Sequence, residues 1–467
     1  MAGDTLRIVW LRQDLRLTDN PALFEAARRG AILPLYILDE VNSGAAAPGA
    51  ASRWGLHHAL DALNADLDGR LMLLRGDPLV LLPQLVEKMG AVGVYWNRCY
   101  EPWRMARDAA LKERLRASGV EARSFNGSLM WEPWRLLKPD GDPYRVFTAF
   151  YRTAAQRAHA PVAPLPTPER LQSTPLSADS LPLAALNLLP AIRWDRKMAS
   201  HWRWGEAAAQ EQLADFLDQN LRGYPDGRDQ LAQSATSKLS AALCYGALSP
   251  RQIWWATLHC ADATGAGEAF RRQLAWREFH HNLLYHNPQM PQRALQPKFE
   301  QFPWREDADA LARWRRGETG IPLVDAGMRE LWATGYMHNR ARMVVGSFLV
   351  KNLLLDWRAG ARWFQECLVD FDLANNSGGW QWVAGCGVDA APYFRVFNPV
   401  AQGQRFDATG DYVRRWVPEL AGVATRWLFN PWEGPKPLGY PPPMVDLKAS
   451  RERALAAFKG LPKPAAE

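Results

Sequence analysis

Four short apolar runs in the first hundred residues, 6–11 (LRIVWL), 31–38 (AILPLYIL), 71–74 (LMLL) and 92–96 (VGVYW), limit the possible folds more than any other feature of this chain. Runs that are apolar at nearly every position, not at alternate ones, suit strands buried on both faces. Helical patterns such as 51–66 and 101–117 lie between them. Strands alternating with helices predict a doubly wound α/β domain, an open parallel sheet covered by helices on both faces, over residues 1–135. No GxGxxG follows the first run and no GxxxxGK[ST] occurs anywhere, so the usual phosphate-cradling loops are missing.

The pattern then changes. Residues 161–190 hold seven prolines (161, 164, 166, 168, 175, 182, 190) and little periodicity, which predicts an extended connector lying across the surface within a linker spanning 136–200. From 201 to 467 the reading is all-helical. Segments 205–221, 266–285, 322–333, 339–355 and 359–369 carry apolar residues at 3.6-type spacing, separated by Gly, Pro and Asn breaks.

Composition narrows the function classes. Lys and Arg exceed Asp and Glu by 56 − 49 = +7, and 45 of the 56 cations are arginine. Arginine suits bidentate phosphate contacts and stacking on flat rings, so a basic nucleic-acid footprint is one reading and a plain compositional bias is the other. Cys99, Cys244, Cys260, Cys367 and Cys386 are scattered with no CxxC pair, which argues for reduced thiols over a disulfide framework or a zinc site. The start lacks a basic segment followed by an apolar run, and no stretch is long and apolar enough to span a membrane. A cytoplasmic, metal-free protein is the expectation. Tryptophan is the compositional outlier, at 22 against 17 Phe and 12 Tyr, and fifteen of the 22 follow residue 200.

The polar clusters concentrate in the same half. In 224–240 (YPDGRDQLAQSATSKLS), Thr236, Ser237 and Ser240 surround Lys238 ahead of an apolar helical stretch, which suits an anion site or an ordinary N-cap. In 273–281 (QLAWREFHH), Gln273, Trp276, Arg277 and His280 fall within two turns of one helix. Such a group could grip a heterocycle or pack at a domain seam. His280, His281 and His286 lack the i, i+4 spacing of a helical zinc pair. In 336–343 (YMHNRARM), His338, Asn339, Arg340 and Arg342 lie together, and Asp370 is a partner for Arg342 that would hold two helices in register. The segment 370–382 (DFDLANNSGGWQW) does not read as a generic helix. Gly378 and Gly379 would weaken a helix interior, and make sense where something flat approaches the backbone.

These residues resemble the DNA photolyase/cryptochrome flavoproteins, and most closely the bacterial class I cyclobutane-pyrimidine-dimer (CPD) photolyases. The resemblance rests on VWLRQDLRLTDNPAL at the start, then TSKLS, WREF, MHNRARM, DLANNSGGWQW and DAAPYFRVFNP in the family's order. It implies a flavin adenine dinucleotide (FAD) in the helical domain, with Tyr224 and Thr236, Ser237, Lys238, Leu239 and Ser240 at its phosphates. Arg277, Asn339, Arg342, Asp370 and Asp372 would line the site. Asn376 would sit beside flavin N5, where an amide favours repair over the Asp or Cys of plant and insect light sensors. Trp380, Trp357 and Trp304 match the family's electron-transfer chain, although each can also be core. Trp276, Met343 and Trp382 match the pocket for a flipped-out dimer, and Arg228, Arg340, Arg395 and Gln402 match contacts to the DNA backbone.

The implied reaction is light-driven electron transfer from fully reduced FADH⁻ to a pyrimidine dimer in DNA, with ring splitting and return of the electron. A monomer is expected. Two departures stand out. Gln273 replaces the usual Glu near the dimer carbonyls, and an amide donates hydrogen bonds but transfers no proton. Enzymes for (6-4) photoproducts also have Gln there, yet they add a second His four positions beyond the first in the MH region, and this chain does not. Lys238 stands where Arg is common. Trp103 and Arg104 replace the Asn-Glu pair of folate-antenna enzymes, leaving a folate, a deazaflavin or an empty antenna pocket open. A non-repairing light sensor and (6-4) repair remain the alternatives.

Overall fold

A computed structural model describes residues 5–157, 162–174, 178–260, 265–388, 394–435 and 439–462. Five strands, β1 (Arg7–Leu11), β2 (Ile32–Leu38), β3 (Met72–Arg75), β4 (Gly93–Asn97) and β5 (Glu121–Phe125), form one all-parallel sheet in the order β3-β2-β1-β4-β5. β1 is central, pairing Arg7 with Ile32 on one side and with Gly93 on the other. Successive residues serve opposite faces. Ile8, Trp10, Val94 and Trp96 enter one core, whereas Val9, Leu11 and Tyr95 enter the other. The continuous apolar runs thus follow from a sheet covered on both sides.

β5 has no apolar run to announce it. Its EARSF sequence buries only Ala122 fully, as expected of an edge strand held by pairing to β4. The segment assigned as linker is only partly a connector. The Phe147–Arg157 helix within it sends Phe147, Phe150, Tyr151 and Ala154 into a core shared with the Ala266–His286 helix. Further on, Ile32 exchanges backbone hydrogen bonds with the connector (Ile32 N to Gln172 O and Thr174 N to Ile32 O, both 2.9 Å), so the chain here docks at the start of β2. Extended proline-rich backbone has free carbonyls and N–H groups, and the sheet edge satisfies them.

The two halves are joined by buried polar contacts. The Arg16 guanidinium donates to the Gly246 carbonyl (2.9 Å), and the Tyr245 hydroxyl lies 2.7 Å from the Val369 carbonyl and 3.0 Å from that of Ser52. Gly246 has φ +75°, and any Cβ there would run into the Gln13 backbone. Only glycine permits this approach. No helix among the described residues is long and apolar enough to cross a membrane.

Candidate cofactor and substrate site

Three helices meet around a cavity of about 480 Å³ in the helical half. The Ala266–His286 helix supplies Gln273, Trp276, Arg277 and His280, which share one face as their spacing requires. The Asn339–Ser347 helix supplies Asn339, Arg340, Arg342 and Met343. The Leu373–Ala384 helix and its lead-in supply Asp370, Asp372, Asn375, Asn376, Gly379, Trp380 and Trp382. Arg228 and Asp229 complete the rim. Three of the chemistry-bearing motifs, with Arg228 and Asp229, therefore converge on one hollow from 155 positions of sequence.

The Leu373–Ala384 helix corrects the sequence reading of that segment. Asp372 is its N-cap, accepting from the Asn375 backbone N–H at 2.7 Å, and the helix runs straight through Gly378 and Gly379. Two helical glycines cost about 1 kcal/mol each against alanine, so packing must compensate. Gly378 faces the His280 ring, and a Cβ there would overlap it, whereas Gly379 faces open cavity with nothing within 4 Å of an added Cβ. One glycine brings two helices together and the other leaves room for a ligand. Gly379→Ala should therefore keep or slightly raise thermal stability while weakening flavin retention. Gly378→Ala should cost about 1–3 kcal/mol by overpacking. Melting and flavin-content measurements on both variants would expose the error if they behave alike.

A hydrogen-bond chain runs from the cap into the cavity wall. Asp372 Oδ1 accepts from Asn375 Nδ2 (2.7 Å), which leaves the Asn375 oxygen to accept, so His280 Nδ1, 3.0 Å away, carries a proton. Asp372 Oδ2 lies 3.3 Å from His281 Nε2. Burial alone would raise the Asp372 carboxyl, but His281, Arg277 and the Asn375 N–H overcome it and hold the group well below the usual carboxylate range. Burial would lower His281 in turn, and Asp372 reverses that, so the imidazole stays protonated to higher pH than usual. Alongside, Arg342 Nη2 lies 2.9 Å from Asp370 Oδ2, tying the two segments together as their spacing suggested. Asn376 Nδ2 donates to the Ala361 carbonyl (3.1 Å), leaving its oxygen as an acceptor.

The aromatic members divide. Trp276 lies flat on Phe147, with centroids 3.8 Å apart and planes 9° apart, so it is a rigid platform. Trp380 is almost fully buried, packs edge-on against Phe364 at 5.0 Å, and its indole N–H has no partner among the described residues. Trp357 is buried away from the cavity in the helical core, and Trp304 is half-buried beside Phe302 with centroids 4.3 Å apart. Trp332 and Trp363 stack at 5.9 Å and 8° elsewhere, with Trp332 55% exposed.

Some expected site residues do not line this cavity. Tyr224 is buried against Phe216 and Phe270. The hydroxyls of the Thr236–Ser240 segment do not cap the Ser240–Tyr245 helix, whose N-cap residue is Leu239 with no side-chain hydrogen bond, and Lys238 takes a positive φ of 52°. Arg395 and Gln402 also lie apart from the lining, and residues 389–393 of the DAAPYFRVFNP motif fall outside the described residues. Asp229 and Asn375 line the cavity without having been predicted. Asp229 was missed because its role depends on Arg340, 111 positions away, to which it is hydrogen-bonded.

The cavity suits a flavin nucleotide. Its volume falls in the range of cofactor pockets, its walls set aromatic and aliphatic side chains beside a dense set of amide, guanidinium and carboxylate groups, and Trp380 offers a buried N–H with no partner among the described residues. The antenna position fits less well. Arg104 lies 3.3 Å from Glu101 and 3.6 Å from Cys99 Sγ, and its guanidinium covers Trp103 at 4.8 Å. Next to it, Arg12 pairs with Asp108 (2.9 Å) and Asn97 donates to Asp14 (2.6 Å) where the strand order reverses. These side chains pair with one another at the usual ligand site of a doubly wound sheet, yet Trp10 Nε1, Arg12 Nε, Glu101 Oε2 and Arg104 Nε are buried there with no hydrogen-bond partner among the described residues. Among the described residues no group of three or more His, Cys, Asp or Glu is placed to hold a metal.

Comparison with known proteins agrees with this geometry. Residues 7–169 match the DNA photolyase family model, and residues 270–460 match that of the FAD binding domain of DNA photolyase. A deoxyribodipyrimidine photo-lyase of Agrobacterium fabrum is 45% identical over 98% of both chains. Cryptochrome-2 of Arabidopsis thaliana is 34% identical over 97% of this chain and 78% of its own. The crystal structure of a bacterial class III photolyase from Agrobacterium tumefaciens superposes with a TM-score of 0.94 at 44% identity, covering 98% of each chain. With both halves matched in order and such identity along nearly its whole length, the chain belongs to the DNA photolyase/cryptochrome family.

Proposed function

We propose that this protein repairs cyclobutane pyrimidine dimers in DNA by light-driven electron transfer, acting as a cytoplasmic monomer. The observation carrying this reading is one cavity that joins a cofactor wall (Asp370, Asp372, Asn376) to an aromatic and amide wall (Trp276, Trp382, Gln273, Asn339). Bound FAD in its reduced state supplies the photoexcited electron donor. The chain does the rest. The Arg342–Asp370 pair and the Asp372 cap fix the two helices that hold the flavin. The indole faces of Trp276 and Trp382 grip bases taken out of the stack and keep water away. Arg340 at the rim, with Arg395 and Gln402 beyond it, is suited to phosphate contacts.

The groups present favour cyclobutane dimers over (6-4) photoproducts. Four positions on from His338 and Asn339 stand Arg342 and Met343, so no second His follows. Burial lowers His338 to about 4, and burial lowers His280 as well, so neither ring is a protonated imidazolium at neutral pH. Photoreduced protein illuminated with dimer-containing single-stranded DNA should restore pyrimidine absorbance. Protein that binds flavin yet gives no light-dependent recovery would instead be the non-repairing sensor.

A further inference from the structure

Arg228 follows the short Tyr224–Gly227 helix, and Gln273 lies in the Ala266–His286 helix, yet Arg228 Nη2 donates to Gln273 Oε1 at 3.0 Å. A guanidinium has five donors and no acceptor. The contact therefore decides which end of the amide faces Arg228: it must be the oxygen. The Nε2 hydrogens are turned the other way, and among the described residues they donate to no group. Both side chains line the cavity. Arg228 is itself held from behind, 3.7 Å from Asp229 and over the Tyr224 ring at 5.4 Å, and Arg340 grips Asp229 in turn.

We infer that Arg228 is a positioning residue that locks the Gln273 amide with its N–H edge toward the substrate, making position 273 a fixed hydrogen-bond donor to the carbonyls of the dimer. This role rests on the repair reading above, and it differs from the phosphate contact expected of Arg228 from the sequence. It also explains why Gln can stand here. A Glu in the same place would ion-pair with Arg228, stay ionised and present only lone pairs to the dimer carbonyls. Restoring the family's usual Glu should then harm this protein at neutral pH.

The test measures the affinity of the flavin-loaded protein for a dimer-containing oligonucleotide and for the undamaged oligonucleotide of the same sequence, over a range of salt. Arg228→Met and Gln273→Leu should each lower the preference for the dimer roughly three- to ten-fold, the loss of one hydrogen bond. The double variant should lose little more than either, because the two act as one unit. Gln273→Glu should lose the preference at about pH 8 and regain it only as pH falls below the ordinary glutamate value of about 4.3, because Arg228 holds the carboxyl ionised down to there. Adding Arg228→Met to Gln273→Glu should move that recovery to higher pH. The proposal is overturned if Arg228→Met weakens both DNAs equally with a salt slope shallower by about one, the mark of a phosphate contact. It is also overturned if Gln273→Glu keeps the full preference at every pH. A wild-type protein that shows no preference for the dimer removes the repair reading and this role together, an outcome distinct from equal loss in the variant.

Discussion

Trp380→Phe is expected to slow photochemical reduction of the bound flavin by roughly ten-fold or more while leaving flavin content and DNA binding nearly intact. A ten-fold rate corresponds to only about 1.4 kcal/mol of barrier, and a benzene ring is harder to oxidise than indole by well over that. Trp380 lines the cavity, so it is placed to hand over the first electron. The substitution is also mild. The indole N–H has no partner among the described residues to lose, and Phe364, Trp314 and the Gly360 backbone already form an aromatic-sized slot around the ring. A cost of about 1–2 kcal/mol in stability follows from the smaller ring. Trp314→Phe is the control, because Trp314 is equally buried but lies off the cavity lining and donates to the Val345 carbonyl at 3.0 Å. Photoreduction at the wild-type rate in Trp380→Phe would remove this residue from the route. If Trp380→Phe blocks reduction but Trp357→Phe does not, electrons reach the surface past Trp357, and the stacked Trp363 and Trp332 become the rings to replace next.

Much of the α/β half was legible because four of its strands are apolar at nearly every position, a pattern few other structures produce. What escaped was β5, whose Glu121, Arg123 and Ser124 carry no hydrophobic signal and whose place depends on pairing with β4. The Leu373–Ala384 helix was obscured for the opposite reason. Its glycines argue locally against a helix, and only the His280 ring on the facing helix shows why Gly378 must be small. Residues at helical spacing, such as Gln273, Trp276, Arg277 and His280, could be grouped from sequence alone. Orientation could not. Which end of the Gln273 amide faces the cavity is set by Arg228, 45 positions away, and no local pattern encodes that contact. The contacts of Arg104 with the Trp103 ring and with Glu101 likewise appear only in three dimensions.

Asp372→Ala should destabilise the protein by about 3–5 kcal/mol, the penalty of breaking a buried ion pair from one side, and should release the flavin. The carboxylate caps the Leu373–Ala384 helix and faces His281 at 3.3 Å, so its loss strips the helix start and strands a buried imidazolium. Asp372→Asn separates these two roles, because Asn caps a helix about as well as Asp but carries no charge. Its effect should depend on pH. The Asp372 carboxyl is depressed in the folded protein, so its contribution is present above the unfolded value of about 3.9 and fades as pH falls through the lower folded value. The His281 imidazole is raised, so its contribution is complete below about 6.5 and fades as pH rises through the folded value. The gap in urea midpoint between wild type and Asp372→Asn should therefore be widest between about pH 4 and pH 6.5 and narrow on either side. In His281→Ala the same Asp→Asn change should show a much flatter profile at the upper end. A gap that is constant from acid to alkaline pH would show that Asp372 acts as a cap alone, and that the charge on His281 has no part in holding the helix that carries Asn376 and Trp380.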